Sequence, residues 1–393
     1  MRIGIFTDTY APTIDGVATS IAAVQSALQE KGHEVFVFAP SQTLTYEASP
    51  REHVWRFPSV RFYGDKRHRF VVPFLFRKDF SAIPLHVVHT QDPFSLGVIG
   101  VRFARAKKLP LVHTYHTRYQ EYAHYLGLPQ LILAMLIKPG MRLIVSFLNI
   151  HDAIIAPSLG MRRELISFGV KKPITVIPTG IDIPKTISLA KGKDPTPLLQ
   201  KFNIDTKDEV VIFASRLGKE KNIAFLIRAM AFVLRARPRA RFLIVGDGNE
   251  KRNLEKMTRE MGLEEKIIFA GFMNHEDLFP LYRVAKAFVF ASYTETQGLA
   301  VLEAMALGLP VVALRAIGVE DLFVAGKGGF LLEKEDIGAF ADAVARLLED
   351  NKLRAVKSKE AQACARNFSI EQTTEMLIKL YQNVIASKKA QDK

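Results

Sequence analysis

The chain has 393 residues, about twice the common domain size, so two domains are the starting expectation. Hydrophobic residues make up 48% and the mean hydropathy is +0.08, which supplies large cores and excludes a disordered chain. With 54 Lys and Arg against 40 Asp and Glu the net charge is +14, which points to a polyanionic partner: nucleic acid, an anionic membrane or phosphorylated ligands.

Short apolar runs alternate with helix-length segments along the chain. Strands are expected at Ile3–Thr7, Val35–Ala39, Val87–Thr90, Leu111–Thr114, Ala153–Ala156 and Thr175–Ile177. A second series follows at Val210–Ala214, Phe242–Val245, Ile267–Ala270, Ala287–Ala291, Val311–Ala313 and Gly329–Leu332. Rich in Val, Ile and Phe, they read as parallel strands covered on both faces. Helices are expected between them, among others at Val17–Glu30, Ile223–Arg235 and Ile337–Leu348. Two βα series predict an α/β fold of two Rossmann-like domains. The stretch Pro178–Pro197 is rich in Pro, Gly and Lys and breaks the periodicity, so the domains are expected at 1–185 and 186–369. A helix with a frayed, Lys-rich tail is expected over 370–393. The charge is uneven: residues through Lys185 carry 22 basic and 13 acidic side chains, the rest 32 and 27.

The single cysteine, Cys364, excludes an internal disulfide and a Cys-rich zinc site, and suits a reducing cytoplasm. The opening MRIGIFTDTY lacks the apolar region of a signal peptide, and no apolar run is long enough for a transmembrane helix. Attachment to a membrane surface stays open.

Four segments carry chemistry. In Glu295–Pro310 (ETQGLAVLEAMALGLP), a buried helix is expected from Gly298, with Glu303 its only charge and no basic residue one turn away. Glu303 therefore either projects into a cleft and binds something polar or meets a distant Arg or Lys. Glu295 falls in the preceding strand-to-helix loop, where open α/β sheets bind ligands, and the amides of Gly298 and Leu299 suit a phosphate. In Ser215–Asn222 (SRLGKEKN), Arg216 and Lys221 follow a strand, as a diphosphate site requires; a solvated charged loop reads the same way. Gly16 opens the helix of the first βα loop, where backbone amides can approach an anion, although turn chemistry alone also places Gly there. In His113–Tyr122, His116 stands at the same end and can hydrogen-bond a hydroxyl; Asp92 is a weaker candidate of that kind. No dinucleotide fingerprint is present: Gly246–Gly248 is followed by Lys251 where a third Gly belongs.

Together, the Asp15-Gly16-Val17 loop (in place of the more usual Gly-Gly), Arg216–Lys221 as R-x-x-x-x-K and Glu295–Glu303 as E-x₇-E resemble the retaining glycosyltransferases of family 4, with the GT-B fold. IGIFTDTYAP, HTYHT, VIPTGID and ETQGLAVLEAMALGLPVVA extend the resemblance along nearly the whole chain. It implies two Rossmann-like domains facing across a cleft, with the C-terminal helix packed back on the first. It implies transfer of a hexose from a nucleoside diphosphate with retention. Arg216 and Lys221 would hold the diphosphate with Gly298 and Leu299, Glu295 the sugar hydroxyls and Glu303 the ribose. Phe272 and Met273 would lie near the base, His116 near the reacting centre, and Gly16 at the phosphates. Cationic side chains would replace a metal, so no metal or cofactor is expected.

The opening and the ETQGL segment look most like enzymes that glucosylate diacylglycerol, which implies UDP-glucose as donor and a lipid acceptor. Two segments fit an anionic membrane surface. Arg51–Lys78 holds eight basic residues and two acidic ones among Trp55, Phe57, Phe62, Tyr63, Phe70, Phe74 and Phe76. Tyr119–Asn149 is apolar, broken by Lys138, Pro139, Gly140 and Arg142. Arg69, Arg118, Tyr119, Lys138 and Arg142 are the candidate acceptor and membrane residues; a core helix beside a solvated loop is the alternative. Peripheral attachment at the cytoplasmic face of the cell membrane follows. The competing functions are a family 4 enzyme acting on a phosphoinositide or polysaccharide, a catalytically silent scaffold, and a nucleic-acid-binding protein. The last has charge in its favour but no reading motif, so no nucleic-acid partner is expected.

Overall fold

The computed structural model describes residues 1–13, 15–49, 52–61, 69–71, 82–121 and 130–391. Phe62, Tyr63, Phe74, Phe76 and residues 122–129 of the two expected membrane segments lie outside the described residues. The chain forms two compact units, Met1–Gly180 with Ile370–Lys393, and Ile181–Ser369.

The first unit contains strands β1 (Arg2–Phe6), β2 (Glu34–Pro40), β3 (Glu47–Ser49), β4 (Val54–Phe57), β5 (Ser59–Arg61), β6 (Arg69–Val71), β7 (Val87–Thr90), β8 (Leu111–Thr114), β9 (Ala153–Ala156) and β10 (Ile174–Val176). Among the described residues, one sheet runs β10-β9-β8-β7-β1-β2-β4-β3, and β5 pairs with β6. All pairs in the large sheet are parallel except β3 with β4. Strands β7, β8 and β9 are buried residue by residue, which explains their unbroken apolar character. The order reverses between β1 and β7. At such a switch point the loops leaving two neighbouring strands diverge and open a crevice.

The second unit contains β11 (Glu209–Ala214), β12 (Ala240–Val245), β13 (Ile267–Gly271), β14 (Ala287–Phe290), β15 (Val311–Leu314) and β16 (Gly329–Leu332). They form an all-parallel sheet in the order β13-β12-β11-β14-β15-β16. Counted from the first strand this is 3-2-1-4-5-6, the Rossmann order, with its switch point between β11 and β14.

Three features go beyond the sequence reading. Within the Pro- and Gly-rich stretch, Ile183–Lys191 is a helix of the second unit. Asp182 caps it by accepting from Lys185 N at 2.8 Å, and Pro184 sits in its first turn, where no amide donor is needed. The C-terminal segment does not fray at its lysines but stays helical from Ile370 to Gln391. Its buried residues Ile370, Thr373, Leu377, Tyr381 and Val384 recur every three or four positions. That stripe joins the core of Ile3, Ile5, Ile21 and Leu28, so the helix packs on the first unit as the resemblance implies. The basic, aromatic stretch beyond Glu52 contributes β4, β5 and β6, strands of three or four residues that lack a readable period.

Gly246 and Gly248 serve packing. A Cβ on Gly246 would lie 1.9 Å from the Ser215 carbonyl oxygen, and one on Gly248 2.4 Å from that of Leu217. The loop after β12 thus presses against the loop after β11. Gly246 and Gly262 both have positive φ, +138° and +64°, but a Cβ on Gly262 would meet open space. Gly246→Ala is therefore expected to cost about 1–3 kcal/mol more than Gly262→Ala, read as denaturant or thermal unfolding.

Candidate functional site

In the second unit, the loop after β11 carries SRLGKEKN and the loop after β14 carries Glu295. The fold brings them together at the switch point. Lys221 Nζ donates to Glu295 Oε1, and both side chains are largely buried. Arg216 Nη2 donates to Glu220 Oε1 at 2.6 Å. The Glu220 carbonyl in turn accepts from Tyr293 N at 3.2 Å and from Ser292 Oγ at 3.3 Å. The two loops are latched to each other by charge and by backbone. Sequence reasoning gave Lys221 and Glu295 separate tasks; the structure makes them partners. It also missed Glu220, whose signal was its place four residues after Arg216.

Gly318 was missed as well. A Cβ there would stand 2.2 Å from Thr296 C and 2.4 Å from the Glu295 carbonyl oxygen. Its bare backbone lets the loop after β15 support the Glu295 segment.

The helix after Glu295 runs Leu299–Ala306. Gly298 precedes it with φ +75°, and no side chain caps the first turn. The amides at this helix start point outward with the positive end of the helix dipole, ready for an anion. Glu303 lies on the same helix. Its nearest basic group is neither Arg nor Lys but His275 Nε2, at 3.6 Å. Burial pushes the Glu303 carboxyl up to about 8. Phe272 and Met273 follow β13 at the same end of the sheet; Phe272 is exposed and Met273 half-buried.

In the first unit, His116 Nε2 lies 2.6 Å from Gln91 Oε1. Burial pushes the ring down to about 4. Three further histidines form a buried polar ladder. His89 meets Tyr381 OH and Thr114 Oγ1, each at 2.7 Å, and Thr90 Oγ1 bridges His113 at 2.8 Å and His151 at 2.9 Å. Burial holds all three well below the usual histidine range, so they are neutral framework groups.

Gly16 is the exposed first residue of helix Gly16–Glu30, but this helix start is already occupied. Asp15 Oδ1 accepts from Ala18 N at 2.8 Å, and its Oδ2 accepts from Thr9 Oγ1 at 2.7 Å. The Asp15 carboxylate therefore supplies the negative charge that this helix start favours.

Two of the candidate cations are engaged within the first unit. Arg69 is 8% exposed and is spent inside the β5–β6 hairpin, donating from Nε to Ser59 Oγ at 2.7 Å and from Nη2 to the Ser59 carbonyl at 2.9 Å. Arg118 forms a two-pronged pair with Glu164 at 2.7 and 3.0 Å. Tyr119 packs edge-on against Phe94 and Tyr115. Lys138 and Arg142 do reach the surface, on helix Gln130–Leu148, beside exposed Met135, Leu136 and Leu143. Among the described residues no helix is long and apolar enough to cross a membrane.

The sequence matches two families, Glycosyltransferase Family 4 over residues 14–185 and Glycosyl transferases group 1 over residues 196–363. It is 37% identical to an alpha-monoglucosyldiacylglycerol synthase of Streptococcus pneumoniae over 80% of this chain and 71% of that one. It is 30% identical to the alpha-monoglucosyldiacylglycerol synthase of Acholeplasma laidlawii over 98% of both chains. The fold resembles that of the Anabaena protein Alr3699/HepE, solved with UDP and glucose, with a TM-score of 0.74 at 20% identity over 98% of this chain and 100% of that one.

Glu303 supplies a test of the burial. A carboxyl raised in the folded state binds its proton more tightly there than when unfolded, so folding loses stability as pH rises from about 4.5 to 8. Glu303→Gln cannot ionise. Relative to it, the unmodified protein should lose stability between pH 5 and pH 8.5 in denaturant melts; parallel curves would mean that Glu303 ionises freely.

Proposed function

The chain belongs to the family 4 glycosyltransferases of the GT-B fold, and from that premise we propose that it moves glucose from UDP-glucose to 1,2-diacylglycerol, with retention at the anomeric carbon. What carries the reading is the gathering of Arg216, Lys221, Glu295 and an uncapped helix start at one strand-end crevice, in a chain whose relatives are monoglucosyldiacylglycerol synthases.

In the reaction the bond from the sugar's C1 to the diphosphate breaks, and the acceptor oxygen takes its place. Negative charge grows on the leaving diphosphate. Arg216, Lys221 and the Gly298–Leu299 amides are groups that stabilise such charge, preorganised before the anion arrives. Two cations and a helix dipole do this without a metal ion. Glu295 accepts from sugar hydroxyls and Glu303 from the ribose; Phe272 and Met273 offer an apolar surface to the base. His116, neutral, accepts from a substrate hydroxyl. The exposed apolar and basic face of Gln130–Leu148 suits an anionic bilayer, with Lys138 and Arg142 at the headgroups, so the enzyme works as a peripheral protein on the cytoplasmic face of the membrane.

Protein mixed with labelled UDP-glucose and anionic vesicles containing diacylglycerol should place label in the organic extract. Label that stays in the aqueous phase, or that enters lipid only from GDP-mannose, overturns the donor and acceptor assignments. Lys221→Ala and Glu295→Ala should each lower transfer by about a hundredfold or more while the fold persists by circular dichroism. Normal turnover by either folded variant refutes its role. Binding to anionic vesicles should weaken between 50 and 500 mM salt, and equal binding to neutral vesicles would refute the charged surface.

A further inference from the structure

We infer that Gln91 is a positioning residue for His116: it fixes the ring proton on Nε2, so that Nδ1 presents a lone pair to the substrate hydroxyl. The inference rests on the reading that gives His116 a substrate contact, and adds what sets that ring's tautomer and charge.

The pairing follows from the topology. Gln91 directly follows β7 and His116 comes two residues after β8, and these strands are neighbours with Thr90 opposite His113. Gln91 is 3% exposed, and its backbone N–H donates to the Phe6 carbonyl at 2.9 Å, which anchors it to β1 at the switch point. Its amide oxygen then accepts from His116 Nε2 at 2.6 Å. A carbonyl can only accept, so the ring nitrogen facing it must carry the proton.

Packing alone does not hold the ring. A cavity of about 50 Å³ adjoins the pair, lined by His116, Gln91, His89, Thr114 and Leu377. Where a ring borders a void it lacks contacts on that side, and a directional hydrogen bond decides its orientation.

The partner's charge matters as much as its position. Burial opposes protonation of His116 and outweighs the Asp15 carboxylate, which favours it, so the ring is neutral; the buried His89 and His113 are neutral as well. A carboxylate at position 91 would reverse this by pairing with an imidazolium, whose nitrogens only donate. Glutamine has the length of glutamate and leaves the ring able to accept.

The test uses the full chain with UDP-glucose and diacylglycerol vesicles, followed as UDP release from pH 4.5 to 9. Circular dichroism and a thermal melt check that each variant is folded. In Gln91→Glu the acid limb of kcat/KM should move up by a pH unit or more, and the shift should vanish when His116→Asn is added. In Gln91→Met, which keeps length and apolar bulk, kcat should fall about tenfold or more with the KM for UDP-glucose within twofold. If Gln91→Glu does not fold, the Gln91→Met result decides. Wild-type kcat and pH profile in the folded Gln91 variants overturn the inference. His116→Ala separates the two failures. Full turnover there overturns the substrate contact and this inference with it; loss there beside normal Gln91 variants overturns this inference alone.

Discussion

A lysine and a glutamate meet where the first and fourth strands of the second sheet part, and the arrangement of the site depends on that contact. Lys221 and Glu295 are both largely out of water, and each offsets the cost of burying the other. Their pairing ties two loops that the chain separates by three helices, three strands and their connections. Glu220 repeats the device one residue earlier, taking Arg216 on its carboxylate and the Tyr293 amide on its carbonyl. The cations are thus held in place at the strand ends. Removing one partner loses a charge and also frees the loop that the other partner steadies.

Both sheets reverse their order beside their first strand, but the two units differ at their helix starts. In the first unit the helix after β1 begins under Asp15, whose carboxylate satisfies Ala18 N and supplies the negative charge that the dipole favours. In the second, the helix after β14 begins with Gly298 and no side-chain cap. One residue at each position decides whether a helix start is closed or open to an anion. In the second unit the open start lies at the same end of the sheet as Arg216 and Lys221. Glycine before a helix does not reveal what the preceding side chain is doing, so the Asp15 cap was not legible in the sequence.

The strands were legible because burial on both faces writes itself as unbroken Val, Ile and Phe, as in VVIFA and AFVF. The Glu295–Glu303 segment was legible because an isolated acid in an apolar helix is conspicuous. Partnerships were not. Lys221 and Glu295 are 74 positions apart, and Arg118 and Glu164 are 46 apart, so neither spacing carries a signal. Arg69 looked like a surface cation from composition, yet the hairpin turns it onto Ser59, because a three-residue strand has too little periodicity to show which way its side chains face. The helix Ile183–Lys191 was hidden by the Pro and Gly around it, although Asp182 and Pro184 are what start it.

The histidines show how one residue type takes two roles within a few ångströms. His89, His113 and His151 are tied to Thr90, Thr114 and Tyr381, and their neutrality lets a polar ladder sit inside an apolar sheet. His116 differs by position: it has left the strand, and its partner is a loop residue at the switch point. The C-terminal helix reaches this region from the far end of the chain. Tyr381 closes the ladder at His89, and Leu377 walls the cavity beside His116. Both ends of the chain therefore build the floor under His116. A helix with so regular a buried stripe at the end of the sequence is there to complete the first unit, and the chain must finish the second unit before the first has all of its core.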